Sequence, residues 1–128
     1  MITISPIYAG LVALLFLVLS YRVTLGRRAH KVSIGDGGHK ALVKRIRVQA
    51  NCAEYAPIAI ILLAMAELQG AAGWLLHLGG LMLLSGRALH AYGLGSTPQV
   101  VPARINGMYL TFGMIALMAI SNIVLSAF

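Results

Sequence analysis

Apolar residues run almost unbroken through four stretches of this chain, at about 2–25, 41–68, 71–94 and 103–127. Each is long enough to cross a hydrocarbon core as a helix, which takes about 20 residues. The breaks between them are marked by turn chemistry: Ser33 to Gly38 is a glycine-rich turn, Gln69-Gly70 separates the second and third runs, and Gly93, Gly95, Pro98 and Pro102 interrupt the third connection. The pattern predicts an all-α, integral membrane four-helix bundle, with residues 1–128 forming one domain.

Composition sharpens that reading. Only 10% of the 128 residues are charged, against roughly 25% in soluble domains, and the mean hydropathy is +0.87. The four runs leave no room for a soluble domain. The first run is predicted to be a retained helix and not a signal peptide, because residues 1–8 carry no base and the positive charges follow the apolar run.

Charge supplies an orientation. Eight of the ten Lys and Arg residues lie between Arg22 and Arg47, and the other two, Arg87 and Arg104, flank the third connection. The positive-inside rule therefore predicts loops 1 and 3 on the cytoplasmic side of a bacterial inner membrane, with both termini on the opposite side. The net charge of +7 is a topology signal with some attraction to anionic membrane lipids. No nucleic-acid-binding module accompanies it, so no nucleic-acid partner is expected.

Candidate chemistry concentrates on the second run. Arg47, Asn51, Glu54 and Tyr55 stand at i, i+4, i+7 and i+8, a spacing that shares one helical face. Charged side chains inside a bilayer are costly, at least about 2.5–3.5 kcal/mol on insertion scales, and usually have a partner and a task. The stripe reads either as polar glue between helices or as a pocket for a small charged ligand. Arg87 and His90 stand i and i+3 near the end of the third run, and Arg104, Asn106 and Tyr109 open the fourth. Three helices thus bring an arginine to one end, a set suited to carboxylates. Pro57 is expected to free the Ala53 carbonyl and invite a kink. Cys52 is the single cysteine and is expected to pack in the interior; it rules out an internal disulfide, and no metal motif is present. His77, near the opposite end, reads as packed or interfacial, and His30 and His39 as solvated. The glycine-rich turn matches no phosphate-binding loop.

The run Arg47-x-Gln49-x-Asn51-x-x-Glu54-Tyr55-x-Pro57, with Arg27-Arg28 before it and Arg87-x-x-His90 after it, resembles the signature of the MAPEG family, the membrane-associated proteins in eicosanoid and glutathione metabolism. The short glycine-rich turn is similar to the bacterial branch. The resemblance implies a homotrimer, with glutathione as co-substrate held between subunits near the cytoplasmic face and a lipid-side cleft for an apolar substrate. It assigns Arg27, Arg47, Gln49, Asn51, Glu54 and Tyr55 to glutathione, with Arg87 and His90 as further contacts. Arg104 matches the arginine that stabilises the glutathione thiolate, once a small insertion in the third connection is allowed. His90 stands where eukaryotic catalytic members carry a tyrosine, with Tyr92 two positions on, and Leu94 where a second tyrosine is expected.

The function expected from the resemblance is a glutathione-dependent transferase or peroxidase acting on lipophilic electrophiles or lipid hydroperoxides. Two other classes compete: a glutathione- or lipid-binding membrane protein without turnover, and a small multidrug-type transporter. The transporter reading needs an acid in the first helix, which has none.

Overall fold

The computed structural model covers residues 1–128 and contains four helices: α1 (Ser5–His30), α2 (Lys40–Leu68), α3 (Gly73–Gly95) and α4 (Val101–Ala127). The first connection (31–39) and the third (96–100) lie at one end of the bundle, where Lys44 of α2 donates to the Thr97 hydroxyl at 3.0 Å. The second connection and both chain ends lie at the other.

The main departure from the predicted boundaries is α1, which runs five residues past the expected end. Charge does not break a helix. Arg27 and Arg28 continue it, and the stop comes only at Lys31, whose φ of +55° is left-handed. There the Val32 N–H donates back to the Arg27 carbonyl at 2.9 Å, closing the last turn. Pro57 does not end α2, which is one helix of 29 residues.

At its other end α1 is capped from a distance. One carboxylate oxygen of Glu67 accepts the Thr3 and Ile4 N–H groups, and the other accepts the Ser5 N–H, each at 2.7 Å. The Ser5 hydroxyl donates to the same carboxylate. A helix N-terminus leaves its first N–H groups without partners and carries partial positive charge, so an acid there is doubly favourable. The same end is closed by Gln69, which donates to Asn122 Oδ1 at 2.6 Å and accepts from the Ser126 hydroxyl at 2.7 Å. His77 meets the Tyr8 hydroxyl at 2.9 Å while its ring stays exposed near this end.

Three helices, α1, α2 and α4, are long and apolar enough to cross a membrane. The third differs because His77, Arg87 and His90 interrupt its apolar run. It is the inner helix of the bundle, running from one end to the other with nine buried residues including Arg87 and His90. Only 26 of 128 residues are buried in the single chain, while Leu14, Leu17, Ile61, Ile120 and Ile123 face outward. A chain whose outside is as apolar as its inside is built for lipid or for further copies of itself.

The α3–α4 contact is made by backbone meeting backbone. A Cβ on Gly107 would lie 2.5 Å from the His90 nitrogen and 2.6 Å from the Gly86 carbonyl. One on Gly93 would lie 2.3 Å from the Arg104 nitrogen. Glycines allow such approach in membrane bundles, where association depends on close packing. Beneath this contact Leu63, Leu76, Leu83, Met114, Met118 and Cys52 fill the core.

Candidate functional site

The polar stripe of α2 divides into two edges. At about 100° per residue, Arg47 and Glu54 fall within about 20° of one another, while Asn51 and Tyr55 are turned inward by roughly 40–80° from Arg47. The outer pair forms an ion pair, Arg47 Nη1 to Glu54 Oε1 at 3.4 Å, with the two side chains 54% and 52% exposed. Glu54 is the fifteenth residue of the 29-residue helix, at its midpoint.

The inner pair faces Arg87. This guanidinium is 1% exposed. Its Nε donates to the Thr111 hydroxyl at 3.0 Å, and its Nη1 donates to the Asn51 carbonyl at 3.3 Å and to the Asn51 side-chain oxygen. Nη2 lies 3.2 Å from the Met108 sulfur, and the cation stands 5.5 Å from the Tyr55 ring centroid. The Thr111 hydroxyl donates in turn to the Gly107 carbonyl at 2.9 Å. Tyr55 also meets Phe112 edge-on at 5.5 Å. Burying a guanidinium costs several kcal/mol unless its donors are met, and here α2 and α4 supply the acceptors.

The expected ligand contacts therefore fall into separate groups. Arg47, Glu54, Asn51 and Tyr55 are brought together on α2, with the first two open to the outside. Arg87 and His90, read from the sequence as ligand contacts, are buried inside the chain at 1% and 4% exposure, because α3 is the inner helix and its glycines draw α4 over it. In the single chain neither presents an open face; Arg87 orients Asn51 and Tyr55 from behind. Arg104 is exposed at the start of α4 and donates to Gln99 at 3.1 Å, next to a shallow hollow lined by Met108 and Tyr109. Arg27 lies apart, its Nε 3.3 Å from the Gly35 carbonyl, in a hollow shared with Arg28 and Lys31. Gln49 is half-buried. One chain does not gather the whole set.

Sequence reading missed the acceptors of Arg87 on α4, Thr111 and Met108. It missed the glycine contact too, although Gly79, Gly86 and Gly93 recur every seven residues and so share one helical face.

The sequence profile of the MAPEG family matches residues 5–124, nearly the whole chain. The chain belongs to the MAPEG family. Inner membrane protein YecN of Escherichia coli (strain K12) is 38% identical over 120 residues, covering 94% of this chain and 90% of that protein. The protein of the same name from E. coli O6:H1 (strain CFT073) matches with the same figures. Membership and the apolar helices together make this a membrane-embedded bundle. For a MAPEG protein in a bilayer the open Arg47–Glu54 pair is a consequential feature: a half-exposed ion pair midway along a spanning helix is costly against lipid and calls for a cover.

Proposed function

We propose that this MAPEG protein binds glutathione at the Arg47–Glu54 edge of α2 and uses it to conjugate or reduce lipophilic electrophiles or lipid hydroperoxides. The observation that carries the reading is the open ion pair, an acid and a base with unspent hydrogen-bonding capacity, held beside Asn51 and Tyr55. Glutathione offers two carboxylates, an amine and a thiol. Arg47 takes a carboxylate and Glu54 the amine, while Asn51 and Tyr55, braced by Arg87, fix the body of the peptide.

The assembly proposed is a homotrimer. It answers the separation of the groups: a neighbouring copy brings Arg27 and Gln49 to the Arg47–Glu54 edge and shields the pair from lipid. Loops 1 and 3 lie in the cytoplasm, where the basic residues of that end belong by the positive-inside rule, and glutathione enters from there.

Arg104 is assigned to the thiol. A guanidinium near a thiol lowers its pKa and raises the fraction of thiolate, the nucleophilic form. The protein needs no nucleophile of its own, since glutathione supplies one. Arg104→Ala, reconstituted in bilayers and assayed with glutathione and an apolar electrophile, is expected to lower kcat at least tenfold with KM for glutathione little changed. Equal loss in both variant and wild type of any dependence on glutathione, or an unchanged kcat, removes the catalytic assignment. A transporter has no support in this arrangement, because the one acid near the middle of a spanning helix is already paired with an arginine.

A further inference from the structure

A second basic site lies on the other side of α2's first turns. The last third of α1, the start of α2 and the third connection enclose a cleft of about 190 Å3. Arg22, Lys44 and Arg45 line it, with Thr97 and Gly95 at the rim and Leu19 and Val48 as its apolar wall. None of these residues belongs to the set assigned to glutathione.

Two of the three cations are held in place. Lys44 Nζ donates to Thr97 Oγ1 at 3.0 Å and to the Ser96 carbonyl. Arg45 Nη1 donates to the Arg22 carbonyl at 2.9 Å. These bonds fix position without neutralising charge. The Arg22 guanidinium has no hydrogen-bond partner in the chain and lies free at the edge of the cleft.

No carboxylate is left to balance them. The protein has three acids in all. Asp36 accepts from the Gly38 N–H in the first connection at 2.8 Å, Glu54 is paired with Arg47, and Glu67 caps α1 at the opposite end. Three like charges gathered around one hollow repel unless an anion enters. A phosphate group suits the arrangement better than a single carboxylate: it carries up to two charges and accepts from several directions at once, as two arginines and a lysine require.

We propose that the Arg22–Lys44–Arg45 cleft binds a phosphate-bearing anion. The anion comes either as the headgroup of an anionic phospholipid, which the position at the loop-bearing end of the bundle would reach, or as a free phosphate compound. Bound there, it ties α1, α2 and the third connection together.

The test follows the unfolding midpoint of the full-length protein in neutral detergent during titration with inorganic phosphate, against sodium chloride at matched ionic strength. A parallel series uses phosphatidylcholine bilayers with and without phosphatidylglycerol. A rise with phosphate beyond chloride identifies a free-phosphate site, and a rise only with phosphatidylglycerol identifies a headgroup site. In either case Arg22→Gln is expected to weaken the response roughly tenfold, the equivalent of one charged hydrogen bond. Arg22 makes no side-chain bond that folding needs, and Lys44→Gln serves as a second variant. Lys40→Gln, which removes a charge outside the cleft, is expected to respond as wild type. No rise beyond chloride in either series overturns the proposal, as does an Arg22→Gln response equal to that of Lys40→Gln.

Discussion

Gly107→Ala is expected to cost about 3 kcal/mol of stability, the upper range for overpacking a tight interior. The new methyl would lie 2.5 Å from the His90 nitrogen and 2.6 Å from the Gly86 carbonyl. Both obstacles are backbone, so no side chain can rotate out of the way and α4 must move off α3. That movement also draws Thr111 and Met108 away from Arg87. Gly10→Ala is the control: nothing lies within 4 Å of its Cβ position, and alanine favours a helix over glycine by roughly 0.5–1 kcal/mol. Comparing unfolding midpoints of the two variants in one detergent checks the claim. Equal midpoints would mean that the helices are not in backbone contact.

Asn51→Leu is expected to destabilise the ligand-free protein by about 2–3 kcal/mol, the cost of removing an acceptor from a buried charged donor. Leucine keeps the branched shape of asparagine, and the backbone carbonyl of residue 51 stays 3.3 Å from Nη1, so the loss reports the one side-chain acceptor taken from the guanidinium. Arg87→Met alone should cost less, because the Thr111 hydroxyl keeps its bond to Gly107 and Asn51 lies at the edge of the interior. The double variant should recover much of the loss of Asn51→Leu, since a cation that is absent needs no acceptor. Additive losses in a double-mutant cycle on the ligand-free protein would contradict the strut from α3 to α2.

How far the sequence alone reached is clearest on the second helix. Its span was legible from apolar run length, and the stripe of Arg47, Asn51, Glu54 and Tyr55 from helical spacing. What spacing could not say is which members face in. That depends on where α3 lies, and Arg87 is 36 residues from Asn51 in the chain. The same limit applies to Glu67. It closes the second apolar run by pattern, yet it caps a helix 62 residues earlier, and no local signal carries such a contact. The third helix is the instructive case. Its length suggested one more span, and its lower hydropathy than that of its neighbours goes with a place inside the bundle, where Arg87 and His90 are buried. Gly93, read from the sequence as punctuation, is with Gly86 part of the surface on which α4 rests.

Arg47 and Glu54 leave their remaining donors and acceptors directed outward, and the account assigns them to glutathione. Calorimetric titration of glutathione into the purified wild-type protein, beside Arg47→Ala and Glu54→Ala, tests this most directly. The account predicts saturable binding by the wild type and at least a tenfold loss of affinity in each variant, with unfolding midpoints taken alongside because each variant leaves one charge of the pair without its partner midway along a spanning helix. A folded wild-type protein that binds no glutathione, or variants that bind it as tightly as wild type, would contradict the assignment.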